Sequence, residues 1–168
     1  LFGNVKPITE RSSSFKVMDL EKKNGHWKKL DRLQNETPTD DSETSNSGEP
    51  ETSDVAWQSV VTDAVISLTS TCQYKGEQTN EDLKDLTDRL LISVRSVKNR
   101  TERPTDVNGV PALETTVLGN FEGRNMKMQT VGLRRKQCLY DLIYVVKPDK
   151  FESDLPTFQN FVASLHVD

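Results

Sequence analysis

The segment Cys138–Val146, with the sequence CLYDLIYVV, is the strongest indication of the fold. It is the most apolar run of the chain, and its length and its aromatic and β-branched residues favour a β-strand. Apolar residues occupy both odd and even positions, so both faces of this strand must be covered. We therefore expect the strand near the centre of a sheet, between two layers of other structure.

Two further segments precede this strand and predict a meander. Val110–Gly119 and Arg124–Leu133 have the length and composition of strands, and the links Asn120–Gly123 and Arg134–Gln137 are short. Such short links join antiparallel neighbours, because a parallel crossover needs a dozen or more residues. We expect the three strands to lie side by side in one antiparallel sheet.

Two apolar stripes with helical spacing flank the meander. The first comprises Leu83, Leu86, Leu90, Leu91 and Val94. Its intervals predict a helix of about four turns with one apolar face. The second stripe follows Asp154-Leu155-Pro156, where proline is tolerated in a first helical turn. It comprises Phe158, Phe161, Val162 and Leu165.

The amino-terminal half predicts four more strands. Their expected bounds are Phe15–Leu20, His26–Leu30, Val55–Val61 and Ala64–Cys72. The turn signal Asn24-Gly25 joins the first two into a strand hairpin over 15–33, and Thr62-Asp63 separates the last two. Together the elements predict an α+β fold, an antiparallel sheet of about six or seven strands packed with two helices.

Composition predicts a single domain, 15–168, with one segment outside its core. The chain has 168 residues, of which 33% are hydrophobic, but residues 34–54 contain no hydrophobic residue, seven acidic residues and no basic one. Nothing there offsets the roughly 1–2 kcal/mol of backbone entropy lost per ordered residue. The segment is therefore interpreted as an acidic disordered loop, or alternatively as a docking tail for a basic partner. Residues 1–14 predict an irregular tether and 55–168 the main body.

The sequence offers no arrangement of residues typical of an enzyme. His26 and His166 lack the spacing of a zinc site, and there is no nucleophile elbow or phosphate-binding loop. We expect a protein without catalytic residues, cofactor or metal. Asp141 interrupts the apolar strand and has two interpretations. It is either a pocket acid, as in a hydrolase with a serine nucleophile, or a buried partner of Arg95, Arg134 or Arg135.

The two cysteines fall at the end of one predicted strand and at the start of another. Cys72 and Cys138 could therefore meet in antiparallel neighbours and form a disulfide, which implies an oxidising compartment. The alternative is a pair of buried free thiols. The sequence pI of about 5.3 argues against a nucleic-acid partner, although lysines surround Asn24-Gly25. No apolar run approaches the ~20 residues of a membrane-spanning helix.

An ordered set of motifs runs through the carboxy-terminal half. A turn at Asn108-Gly109 leads into Val-Pro-Ala-Leu, and the YDLIY stretch Tyr140–Tyr144 follows. The final motif residues are Pro148, Phe151, Pro156, Phe158, Phe161 and Ser164. This order resembles the PsbP-like superfamily, which includes an extrinsic photosystem subunit, a Ran-binding nuclear import factor and many bacterial lipoproteins. The resemblance covers about Val55 to Val167 and implies an αβα sandwich around an antiparallel sheet.

Within that superfamily the chain is most similar to bacterial exported lipoproteins of unassigned role. The resemblance implies a non-enzymatic exported binding module that docks a protein partner or an envelope assembly. It would be periplasmic or outer-membrane-anchored through an upstream lipid anchor that this chain lacks. Leu1 is not methionine, so we expect a processed chain whose tether follows a lipid-modified cysteine. The alternative is a small apolar-ligand carrier, with a cleft between sheet and helix lined by Trp57, Tyr140, Tyr144 and Phe158.

Overall fold

The computed structural model describes residues 15–30, 54–72, 83–84, 87–88, 91 and 94–167. The strands are β1 Phe15–Lys16, β2 Trp27–Lys29, β3 Val55–Ser59, β4 Val65–Cys72, β5 Val94–Val107, β6 Val110–Phe121, β7 Arg124–Arg135, β8 Cys138–Val146 and β9 His166–Val167. The helices are α1 Glu21–Asn24 and α2 Phe151–Ala163, and a 3-10 turn, Pro148–Lys150, precedes α2. Residues 83–84 and 87–88 are also helical. The predicted tether 1–14 and almost all of the predicted acidic loop lie outside the described residues.

The main sheet has seven strands in the order β2-β3-β4-β8-β7-β6-β5, and every neighbouring pair is antiparallel. Strand β8 is the fourth of the seven, so its predicted central position is confirmed. The predicted meander is also confirmed, because β6, β7 and β8 are consecutive neighbours. The fold class is the predicted α+β arrangement, with the sheet as its largest part.

The two faces of β8 bury their side chains in different clusters. Tyr140, Leu142 and Tyr144 pack in the cluster that contains the apolar face of α2. On the opposite face, Leu139 packs with Leu83 and Leu113, while Ile143 and Val145 pack against the cluster of Leu91, Val117 and Met128. The central strand is therefore covered on both sides, as its sequence predicts.

The first predicted helix is described in part. Leu83, Thr87 and Leu91 are buried at intervals of four residues, and the Thr87 hydroxyl donates to the Leu83 carbonyl at 3.1 Å. Leu86 and Leu90 lie outside the described residues. Val94 is not the last residue of that helix but the first of β5, so the expected carboxy-terminal bound is wrong.

Strand β5 is not predicted from the sequence, because it lies at the edge of the sheet. Its sequence, VRSVKNRTERPTDV, has few apolar residues, and the side chains of residues 97–104 are exposed. An edge strand with two solvated faces needs no alternation of apolar residues, so periodicity gives no signal. The main sheet has seven strands, which agrees with the predicted number, but its members differ from those predicted. It includes β5, which is not predicted, and it does not include β1, which lies in the predicted strand Phe15–Leu20.

The hairpin predicted over 15–33 is wrong. Strand β1 pairs with β9 at the carboxyl terminus, and β2 pairs with β3. Asn24-Gly25 instead ends the one-turn helix α1, where Gly25 has the left-handed φ of 78°. A left-handed glycine suits both a hairpin turn and a helix C-cap, so the dipeptide alone does not distinguish them.

The carboxyl end of α2 is fixed by a turn of the sheet. Asn108, in the β5–β6 turn, donates from Nδ2 to the carbonyls of Ala163 and Leu165 at 3.0 and 2.7 Å. These carbonyls lie at the end of the helix, where main-chain acceptors have no partner within the helix itself. The turn therefore holds α2 against the face of the sheet that it covers.

Cys72 and Cys138 form the predicted disulfide. The residues are direct partners in the register of β4 and β8, at the end and the start of these strands. The bond links the central strand to a neighbour across 66 residues of chain. The alternative of two free thiols is thereby excluded in this structure.

We expect reduction of this disulfide to lower the free energy of unfolding by about 4 kcal/mol, because a loop of this size is constrained in the unfolded chain. Urea denaturation with and without dithiothreitol measures the difference. The double variant Cys72→Ala/Cys138→Ala is the control and should be insensitive to dithiothreitol. An unchanged urea midpoint for the fully reduced wild type would contradict the prediction.

Candidate functional site

The four aromatic residues predicted to bind a ligand lie in the core. Trp57, Tyr140, Tyr144 and Phe158 are each at most 3% exposed. Tyr144 stacks on Phe158 with ring centroids 5.3 Å apart, and its hydroxyl donates to the Phe151 carbonyl at 2.7 Å. Burial raises the pKa of the Tyr144 hydroxyl above its ordinary value, with a smaller contribution from the charge of Asp154.

The neighbours of these aromatic rings fill the space between them. Trp57 packs edge-on against Phe161 at 5.4 Å, and Tyr140 packs edge-on against Phe15 at 6.3 Å. A ligand held by all four predicted residues would have to displace these contacts. Their role as ligand-binding residues therefore stays a prediction, whereas their packing role is visible in the structure.

A small cleft does open between the sheet and α2. Its volume is about 90 Å³, and of the four predicted aromatic residues only Phe158 lines it. The other lining residues are Thr105, Asp106, Val107, Glu114, Gln129, Val131, Gln159 and Val162. Typical small-molecule sites have volumes of about 300–1,000 Å³, so this cleft suits at most a very small, partly polar molecule.

Asp141 lies deep in the sheet. Its side chain is 3% exposed, and its register partners are Thr69 on β4 and Gly132 on β7. Of its three predicted partners, Arg134 is the nearest in register, two residues from Gly132 and on the same face of β7. An Asp141–Arg134 pair stays a prediction. The carboxylate does not open to solvent, where a substrate would meet it.

The two histidines are exposed, and they are placed by different sheets. The His26 carbonyl accepts a hydrogen bond from Val60 beside β3, and His166 lies in β9, which pairs with β1. Within the described residues, no group of three or more His, Cys, Asp or Glu side chains is placed to hold a metal ion. In the same part of the chain, no helix combines the length and apolar character needed to cross a membrane.

Exposed apolar side chains are concentrated at one corner of the sheet. In the described residues four large apolar side chains are exposed, and three of them, Leu30, Val60 and Val61, flank β2 and β3. Val60 and Val61 are 58% and 65% exposed. The predicted strand extends to Val61, but β3 ends at Ser59, so both valines lie in the β3–β4 turn. Two adjacent apolar residues cannot share one face of a strand, and this break in alternation is the signal that could have identified the turn.

Leu30 and Val60 line a groove beside these strands. The groove has a volume of about 370 Å³ and is lined by Lys28, Lys29, Leu30, Gln58, Ser59, Val60 and Asp63. We name these seven residues the edge groove. Leu30 N–H donates to the Ala56 carbonyl and Val60 N–H to the His26 carbonyl, both at 2.8 Å, which extends the β2–β3 ladder beyond both ends of β2. Alternation along this ladder places Lys28, Leu30 and Val60 on one face.

The β3–β4 turn is held rigidly by its own side chains. Ser59 Oγ accepts hydrogen bonds from the N–H groups of Val61 and Thr62 at 3.0 and 3.1 Å. The Thr62 hydroxyl accepts from Ala64 N–H and donates to Asp154 Oδ2 in the first turn of α2. The two exposed valines are therefore presented on a preorganised turn that is fixed to the core, which lowers the entropic cost of binding.

No protein-family model and no curated protein matches the sequence. Among solved structures, the chain is similar to cyanobacterial PsbP (CyanoP) from Synechocystis sp. PCC 6803, with a TM-score of 0.54 and 11% identity over 94% of this chain and 93% of that one. The fold is PsbP-like. A second similar structure is a protein of unknown function from Pseudomonas aeruginosa, described as a candidate regulator, with a TM-score of 0.51 and 12% identity over 67% of this chain and 72% of that one.

At these identities the comparisons establish the PsbP-like fold alone. The predicted fold resemblance is thereby confirmed, and it extends over more of the chain than the expected Val55–Val167, because the match to CyanoP covers 94% of this chain. Neither similar structure bears on the predicted lipoprotein assignment, which stays a prediction.

We expect the Thr62–Asp154 hydrogen bond to stabilise the β3–β4 turn by about 1–2 kcal/mol, since its acceptor is a carboxylate. A double-mutant cycle with Thr62→Val and Asp154→Ala, followed by urea denaturation, isolates this coupling from the separate effect of Asp154 on α2. Thr71→Val, at an exposed position of β4, is the matched control and should change stability little. Strictly additive effects of the two variants would show that the bond contributes nothing.

Proposed function

We propose that this protein is a non-enzymatic docking module that binds a protein partner through the edge groove and the adjacent Val60-Val61 turn. The observation that carries the proposal is the rigid turn with two largely exposed valines. Exposed apolar side chains can stabilise a complex by becoming buried against a partner. The contribution is about 1.5–3 kcal/mol for each valine that becomes fully buried. Such clusters, rimmed by polar residues, are typical of interaction sites.

The positions of the ionisable residues support a non-enzymatic role. Asp141 is buried in the main sheet. His166 lies in the two-stranded β1–β9 sheet, whereas His26 directly precedes β2 of the main sheet. General acid–base catalysis requires a titratable group within hydrogen-bond reach of a substrate. In the described residues, neither the edge groove nor the cleft beside α2 contains a histidine or a cysteine. Docking therefore explains the exposed residues better than catalysis does.

The disulfide supports an exported location for this module. Disulfides persist in oxidising compartments such as the bacterial periplasm and are rare in the cytosol. The structural similarity to CyanoP is consistent with this location but concerns the fold. Attachment to the outer membrane through an upstream lipid anchor is part of the proposal and rests on the sequence resemblance alone.

Docking is favoured over the carrier alternative by the shape of the core. The cleft beside Phe158 has a volume of about 90 Å³, well below that of a site for an apolar ligand. The edge groove is larger, at about 370 Å³, but it is an open surface feature with lysines on its rim. An open groove of this kind suits a segment of another protein better than an enclosed apolar molecule.

Site-specific photo-crosslinking in the native cell tests the proposal. A benzophenone amino acid at position 61 should crosslink to a discrete protein, because Val61 is the most exposed apolar residue of the proposed interface. The same amino acid at Gln137, exposed in the β7–β8 turn at the opposite end of the sheet, is the matched control.

Val60→Asp should abolish the product from position 61, since it places a charge on the apolar surface. Its thermal unfolding should match that of the wild type, because Val60 is 58% exposed. Equal products from positions 61 and 137, or a product that survives Val60→Asp, would contradict the proposed docking site.

A further inference from the structure

We propose that the partner contributes an extended acidic segment that pairs with the open edge of β2 and continues the main sheet. This inference rests on the proposed function, because the segment would occupy the edge groove. It specifies the chemistry of the partner: main-chain hydrogen bonds along β2, acidic side chains facing Lys28 and Lys29, and an apolar side chain beside Leu30. Strand addition of this kind is a recurring mode of peptide recognition.

The main chain of β2 directs part of its hydrogen-bonding groups away from the rest of the sheet. In an antiparallel pair, alternate residues direct their N–H and C=O groups toward the partner strand. Leu30 and His26 bond to β3 in this way, so Trp27 and Lys29 direct theirs to the opposite side. Strand β2 is the first in the sheet order, and no strand of the described residues pairs with it on that side.

The opposite edge of the sheet is less suited to strand addition. Strand β5 contains Pro104, which lacks a main-chain donor, and its register shifts between Arg95 and Asn99. Proline and bulges are the devices by which proteins block edge pairing. Arg100 is also held by Asp88 and Glu102, at 2.6 and 2.7 Å. Of the two edges, β2 is therefore the one that can accept a strand.

Charge complementarity identifies an acidic occupant. Lys28 and Lys29 are exposed on β2, and Lys22 and Lys23 are exposed in the preceding helix α1, although the whole chain has a net charge of −4. Asp63 is the acidic residue among those that line the edge groove. Two copies of this edge would place lysines opposite lysines, which disfavours pairing with a second copy of the chain.

The shape of the edge groove adds an apolar requirement. Leu30 and Val60 line it on the same sheet face as Lys28. A strand added to β2 would place alternate side chains on that face, next to Lys28 and Leu30. Two consecutive acidic residues would therefore face Lys28 and Lys29 on the two faces of the sheet. An apolar residue next to them would lie beside Leu30.

The probe is a nine-residue acetylated and amidated peptide of three Glu-Glu-Val repeats, titrated into the ¹⁵N-labelled full chain and followed by NMR. We expect saturable shifts centred on the amides of Trp27 and Lys29, and slower hydrogen exchange at both. A peptide with lysine in place of glutamate is the charge control. A peptide with alternate N-methylated amides is the control for main-chain pairing.

The variant Lys28→Glu/Lys29→Glu should weaken binding of the glutamate–valine peptide at least tenfold, and raised salt should weaken it as well. Lys147→Glu/Lys150→Glu, at exposed positions outside the edge groove, changes net charge equally and should retain binding. The inference is overturned if the glutamate–valine peptide leaves the Trp27 and Lys29 amides unaffected, or if the N-methylated peptide binds as well.

A membrane surface is the competing occupant, because lysines beside exposed apolar residues also suit anionic lipid. Sedimentation with phosphatidylglycerol vesicles addresses this occupant. Binding to vesicles without binding to the glutamate–valine peptide overturns the inference. Failure of the peptide together with a Val60-dependent crosslink from position 61 would reject strand addition and leave the proposed docking function intact. Equal crosslinked products from positions 61 and 137, or a product that survives Val60→Asp, would instead reject the docking function itself.

Discussion

Burial of β8 on both faces determines how the other elements are arranged. Its side chains alternate between two clusters, so each cluster needs its own cover. Helix α2 covers Tyr144, while the helical residues Leu83 and Leu91 cover the opposite face. Each large apolar side chain left uncovered would lose about 1.5–3 kcal/mol of burial free energy. A layer on both sides of the sheet is therefore a consequence of one apolar strand.

The sequence predicts the elements whose burial is strong and periodic. Strand β8, the two strands before it and the apolar face of α2 are found where the spacing of apolar residues places them. For the two cysteines the sequence leaves a disulfide and two free thiols open, and the antiparallel register of β4 and β8 selects the disulfide. For the strands and for α2, the prediction succeeds because burial imposes a pattern on the sequence.

The sequence indicates the candidate site only weakly, because its residues are exposed and short-range signals there are ambiguous. Val60 and Val61 have β-branched side chains typical of strands, but hydrogen bonds to Ser59 Oγ hold Val61 and Thr62 in a turn. Strand β5 lacks apolar alternation because it lies at an edge. Asn24-Gly25 ends a helix although the same dipeptide is typical of hairpins.

Because side chains fill the centre of this sheet, its edges are the better places for a partner to bind. Strand β2 shows how even a very short edge strand can provide a binding surface. Its Trp27 side chain is 2% exposed, and ladder hydrogen bonds to β3 continue past both of its ends. The main chain of β2 is therefore fixed by the core before any partner arrives. Lysines on such an edge normally prevent unwanted pairing, because a like-charged or apolar strand gains little beside them. An acidic strand meets no such penalty, so the same two side chains that protect the edge can also select its partner.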